Sequence, residues 1–84
     1  MNNRQRKTLA AVFSNPTPKT VAWDDLAALL SALGCDMEKD GGSHCAFRRN
    51  NQKVDFHRPH PGKELKPYQV RDAKAFLVKI GVEP

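Results

Sequence analysis

The sequence predicts an α+β domain: a three-stranded antiparallel sheet with two helices on one face, plus an extra N-terminal helix. Three observations carry this. Apolar residues recur at the helical period over Trp23–Leu33 and again from Pro67 to Ile80, whereas residues 35–58 alternate at the period of a strand. Two turn-forming stretches, Asp40-Gly41-Gly42-Ser43 and Asn50-Asn51-Gln52, divide that alternating region into three. The length, 84 residues, suits one domain holding one modest core.

Arg4–Phe13 reads as a short helix with Leu9, Ala10, Val12 and Phe13 on its sticky side. Asn15-Pro16-Thr17-Pro18 ends it, because each proline restricts the residue before it and lacks an N–H donor. Residues 1–19 are thus expected to be a basic helix and a proline-rich linker, hinged to a body formed by residues 20–84.

In the second helix Leu26, Leu29, Leu30 and Leu33 fall at i, i+3, i+4 and i+7, which makes one apolar stripe. Asp24 and Asp25 occupy the first turn, where the helix dipole favours negative charge. With Ala22 at the cap, Val21 and Leu26 have the spacing of a hydrophobic staple, and Gly34 suits a left-handed stop.

Cys35–Lys39, His44–Arg49 and Lys53–Arg58 are the three expected strands. If Cys45 and Phe47 pack inward with Val54 and Phe56, then His44, Ala46, Arg48, Asp55 and His57 face the other way. One face is then apolar, and the other is expected to be polar and basic. The last helix opens at Pro67, carries Val70, Ala73, Phe76, Leu77 and Ile80 as its stripe, and stops at Gly81. Both amphipathic helices flanking the meander most economically cover the same apolar face, leaving the opposite one open to a ligand.

Charge narrows the function classes. Fourteen Lys and Arg against nine Asp and Glu give a net charge of +5. Residues 41–66 hold six basic and two acidic side chains together with all three histidines. Such a segment attracts polyanions, although a small domain of this charge is also simply soluble. No apolar run approaches the ~18–20 residues of a membrane span. The N-terminal stretch Leu9–Phe13 is too short for a signal peptide, so the cytoplasm is the expected compartment. Cys35 and Cys45 are expected to be free thiols there.

His44 follows Gly-Gly-Ser and opens a strand on the expected open face, a place that suits general acid or base work. An ordinary surface histidine at a strand end fits the same facts. His57 and His60 lie in His57-Arg58-Pro59-His60-Pro61, where the prolines hold Arg58 and His60 in a loop; turn punctuation with incidental side chains is the competing account. A zinc site built from His57, His60 and the cysteines is disfavoured, because each cysteine stands alone and Pro59 interrupts the histidine pair. Gly41-Gly42-Ser43 lacks the lysine of a phosphate-binding loop.

Trp23 with the Leu26–Gly34 helix, then Gly42-Ser43-His44, then His57 through Leu65, then a closing helix ending Leu77–Gly81, resembles the HicA-type mRNA interferase toxins. The resemblance spans about residues 20–82 and leaves residues 1–19 outside it. It implies a fold similar to a double-stranded-RNA-binding domain and ribonuclease activity in a bacterial toxin–antitoxin pair neutralised by a HicB-type antitoxin. It also places the family's single catalytic histidine, which follows Gly-Ser, at His44.

The expectation is therefore a metal-independent endoribonuclease acting on mRNA, with no cofactor. His44 is its principal acid or base, and His57 is either a second proton-transfer group or a buried residue shaping the loop. Arg48 and Arg58 are the expected phosphate contacts, with Lys53, Lys63, Lys66 and His60 adding to RNA binding. A non-catalytic RNA-binding module with the same basic face is the alternative. A third possibility is an interaction protein whose basic face docks an acidic partner.

Overall fold

The computed structural model describes residues 1–59 and 62–84. Among the described residues the chain runs α1 (Asn3–Phe13), α2 (Trp23–Ala32), β1 (Asp36–Lys39), β2 (His44–Arg49), β3 (Gln52–His57) and α3 (Pro67–Lys79). This is the expected α+β order, with three helices and one antiparallel sheet in the order β1-β2-β3.

Local chemistry sets the helix ends. Asn2 caps α1: its side chain accepts the Gln5 N–H at 2.9 Å, and the Gln5 side chain accepts the Asn2 N–H at 3.0 Å. At α2 the cap is Ala22, with Asp24 and Asp25 in the first turn supplying the favourable charge. Gly34 and Gly81, both at φ 83°, terminate α2 and α3 in the left-handed conformation that glycine adopts without a steric penalty.

The β2–β3 connection is tighter than expected. Asn50 and Asn51, at φ 52° and 63°, form a two-residue turn whose twist matches that of the flanking strands. Gln52 therefore joins β3 opposite Arg49, and the strand ends at His57, leaving Arg58 just beyond it. The register pairs His44 with His57, Ala46 with Asp55 and Phe47 with Val54. On the other side it pairs Asp36 with Arg48 and Glu38 with Ala46.

Phe47, Val54 and Phe56 point inward and share one core with Leu26, Leu29 and Leu30 of α2 and Val70, Ala73, Phe76 and Leu77 of α3. Burial of each large apolar side chain contributes roughly 1.5–3 kcal/mol. Trp23, at the start of α2, lays its indole across the sheet, 5.8 Å from Phe56 and 6.1 Å from Phe47 between ring centres. The aromatic cluster thereby ties the start of α2 to β2 and β3.

Leu9 and Val12 of α1 belong to the same core, and α1 packs against both α2 and α3. The buried side of α1 differs from the expected one at Ala10 and at Thr8. Ala10 is exposed and Thr8 is buried, its hydroxyl donating to the Arg4 carbonyl at 3.0 Å. That bond satisfies the hydroxyl within the helix, which lets a threonine face the core. Cys35 and Cys45 are free and buried. Burial pushes the Cys35 thiol up from its ordinary value, with the nearby Arg49 partly opposing the shift.

The open face corrects one expectation. It carries His44, Ala46, Arg48, Asp55 and His57 as anticipated, but it is not basic. The register adds Asp36 and Glu38 of β1 to the same side, so three carboxylates, with Asp55, meet two cations, Arg48 and Lys53. The physical reason is that β1 comes from the acidic stretch 23–40, and antiparallel pairing lays it beside the basic β2. Ala46, also on this face, is only 1% exposed. Its small side chain is flanked by Glu38 and Asp55 across the strands, which shield it from water.

Candidate functional site

The turn Asp40–Ser43 carries the chain from β1 into β2, with Gly41 at φ 44° making the reversal. His44 opens β2 immediately after it, with 28% of its side chain exposed. Its Nδ1 lies 2.9 Å from Asp40 Oδ2 and its Nε2 lies 2.9 Å from Asp55 Oδ1. An ionised carboxylate only accepts, so the ring donates to both at once only when both nitrogens carry protons. A neutral ring serves one carboxylate and turns a lone pair to the other. Asp55 stands on β3 within the strand ladder, whereas Asp40 is in the turn and 76% exposed.

His57 faces His44 across the β2–β3 pair, with 5.6 Å between ring centres. Its ring is exposed, which removes the reading of His57 as a buried loop-shaping residue. The backbone of His57 does that work instead. Its carbonyl accepts from Gln69 Nε2 at 2.9 Å, and Gln69 Oε1 accepts the Lys66 N–H at 2.9 Å. Gln69 is 5% exposed, and it links the end of β3 to the start of α3.

Arg58 is fixed by its backbone as well. Its N–H donates to the Ser43 carbonyl at 2.9 Å, and its guanidinium reaches the Gly42 carbonyl at 3.3 Å. The segment from Gly62 to Leu65 is pinned to the entry of α2: Trp23 N–H donates to Lys63 O at 2.9 Å, and Leu65 N–H donates to Val21 O at 2.8 Å. Leu65, 2% exposed, anchors this strip in the core. Lys63 and Lys66 are thereby set beside Arg58. His60, expected to add to RNA binding, lies outside the described residues.

The cations divide into two kinds. Arg48 pairs with Glu38 at 2.9 Å, and Lys53 with Asp55 at 3.5 Å. Among the described residues, no carboxylate lies within ion-pair distance of Arg58, Lys63 or Lys66. Of these cations, the ones without a carboxylate partner thus lie at the end of the sheet and not at its centre. Two cavities open there and share Ser43, Arg58, Pro59 and Gly62. One, about 440 Å³, continues along Trp23, Asp24 and Lys63, and the other, about 530 Å³, along His57, Lys66 and Tyr68.

Sequence reasoning named His44, His57, Arg58, Lys63 and Lys66, and the structure brings these to one end of the sheet. Arg48 and Lys53 sit on the same face but are engaged by carboxylates. Asp40, Gln69 and Tyr68 were missed. Asp40 stands four residues before His44 across a glycine turn, a spacing that does bring two side chains back together. Gln69 carries no such local signal. The disfavoured zinc set is also divided by geometry: Cys45 is buried opposite Phe56 on the inner side of the sheet, and His57 is on the open side. Among the described residues, no group of three or more His, Cys, Asp or Glu side chains gathers in a way that could hold a metal ion.

A family model described as HicA toxin of bacterial toxin-antitoxin matches residues 23–82. The chain belongs to the HicA toxin family. It is accordingly a toxin of a toxin–antitoxin system, and an antitoxin is its counterpart. No curated protein and no solved structure matches it. The HicA match begins at Trp23 and so takes in the aromatic cluster, His44, the Arg58–Lys66 strip and α3, and leaves α1 outside. Among the described residues, no helix of this HicA toxin is long and apolar enough to cross a membrane.

Proposed function

We propose that this HicA toxin is an endoribonuclease that cleaves mRNA in the cytoplasm by intramolecular attack of the 2′-hydroxyl, with His44 as its general acid or base. The observation that carries the reading is the pairing of His44 with two carboxylates beside Arg58, at the Gly-Ser-His position of a HicA chain.

RNA supplies its own nucleophile. A base takes the 2′ proton, the 2′ oxygen bonds to phosphorus, and the P–O5′ bond breaks as an acid returns a proton to the leaving oxygen. The products are a 2′,3′-cyclic phosphate and a 5′-hydroxyl. Asp55, anchored in β3, orients the His44 ring through Nε2. Asp40 occupies the Nδ1 side from an exposed turn, and it yields that side to the substrate. His57 is the second proton-transfer group, and Arg58, held against the turn, meets the charge that develops on the phosphoryl oxygens. Lys63 and Lys66 draw the chain of phosphates toward it. The antitoxin, of the HicB type, silences the toxin by covering this end of the sheet.

Purified toxin incubated with single-stranded RNA tests the reading. Cleavage is expected to persist in EDTA and to leave cyclic phosphate or 3′-phosphate ends. His44→Ala is expected to lower the rate by ~10²–10⁴-fold while the fold and RNA affinity are retained. A His44→Ala protein that cleaves at the wild-type rate overturns the assignment, and 3′-hydroxyl ends overturn the mechanism.

A further inference from the structure

The cavity on the α3 side of Arg58 borders the proton-transfer centre only through His57, and the rest of it is built from unlike parts. Tyr68, the only tyrosine in the chain, stands on the first turn of α3 with 50% of its surface exposed. It is the only aromatic residue among the large exposed hydrophobics of the described chain. The same cavity of about 530 Å³ holds His57, Arg58 and Lys66 on its walls, with Glu64 as its single carboxylate. Trp23, in the neighbouring cavity, differs in kind, because its indole is already packed on Phe47 and Phe56. Tyr68 has no aromatic partner of this sort among the described residues.

An exposed π face beside two cations is complementary to a nucleotide. The base offers a flat apolar surface and the phosphate a negative charge. His57 joins the cavity to the reacting centre, being in its wall and 5.6 Å from His44. A nucleotide held here is next to the bond that His44 addresses.

We infer that this cavity is a nucleotide subsite, in which one unpaired base of the RNA adjoining the scissile phosphate stacks on Tyr68 while Arg58 and Lys66 hold its phosphate. The inference rests on the ribonuclease reading and adds to it a base contact: stacking on Tyr68 takes one base out of a helical stack, so the nucleotide held here is unpaired. Every base has a π face, so Tyr68 contributes affinity with little preference among the four.

The test is binding, kept apart from cleavage. A labelled short single-stranded oligoribonucleotide is titrated with the His44→Ala toxin by fluorescence anisotropy at fixed salt. Adding Tyr68→Ala is expected to weaken binding by about 5- to 150-fold, the span associated with stacking of one base. Tyr68→Phe is expected to retain the affinity. Tyr68→Gln, which keeps a good helix former without a ring, is expected to repeat the loss, and circular dichroism verifies that α3 is intact. Equal affinity of the Tyr68→Gln and parent proteins overturns the subsite while leaving the ribonuclease reading in place. Failure of the parent to bind RNA, together with failure of the wild type to cleave it, overturns both.

Discussion

His44 Nε2 and Asp55 Oδ1 stand 2.9 Å apart, although eleven residues separate them along the chain. The antiparallel register makes them diagonal neighbours on the open face, because His44 is directly opposite His57 and Asp55 lies two residues before it. Period-two alternation then points both side chains the same way. Asp55→Asn keeps the shape but removes the acceptor charge that holds the ring. The expected result is a fall of ~10-fold or more in kcat with KM nearly unchanged, and altered ring-nitrogen NMR signals of His44. A change confined to KM would place Asp55 in RNA binding instead.

The ion pairs predict an order among the cations. Arg48 is engaged by Glu38 at 2.9 Å, whereas the Arg58 guanidinium reaches the Gly42 carbonyl and, among the described residues, no carboxylate. Arg58→Ala is expected to weaken RNA binding more than Arg48→Ala, measured at one ionic strength. Glu38→Gln is expected to strengthen it, because the released Arg48 becomes available to a phosphate. Each phosphate gained steepens the dependence of log affinity on log salt by about 0.7 for single strands. Both groups of the pair are about half exposed, so its loss changes stability little.

Gln69 joins β3 to α3 with both ends of one amide. Its Nε2 donates to the His57 carbonyl and its Oε1 accepts the Lys66 N–H, and the side chain is buried. Gln69→Ala strips a partner from two backbone groups and is expected to cost about 1–3 kcal/mol of stability by thermal or denaturant unfolding. RNA cleavage is expected to fall as well, because Lys66 and the end of β3 lose their common tether. Gln69→Glu accepts from Lys66 but cannot donate to His57, so it separates the two bonds.

Silencing by occlusion predicts competition. Arg58, Lys63 and Lys66, without a carboxylate partner among the described residues, are the groups an antitoxin gains most by covering with acidic side chains, since complementary charge also speeds encounter. RNA and antitoxin are expected to exclude each other in a titration, and histidine-directed modification of His44 is expected to fall sharply in the complex. A ternary complex with RNA in which His44 stays reactive would establish control from a distance, for instance through α1.

The sequence by itself determined the elements and their faces. The Leu26–Leu30 stripe, the glycine stops at Gly34 and Gly81, and the alternation through Phe47, Val54 and Phe56 are local patterns, and the chain obeys them to within a residue or two. The Gly-Ser-His and His-Arg-Pro segments likewise come together at one end of the sheet, where the candidate residues gather. Only the tertiary structure decided the electrostatics of that site. Segment charges mark residues 41–66 as basic, but the register sets the acidic β1 beside β2, so Glu38 neutralises Arg48 and the open face loses its positive character. It also decided that Asp40 and Asp55 converge on one imidazole and that Gln69 reaches across to His57. Helical and strand periods depend on neighbours a few residues away, and a single sequence displays them. Pairing between strands and helices depends on which segments become adjacent when the core forms, and that closure brings charges together regardless of their order along the chain.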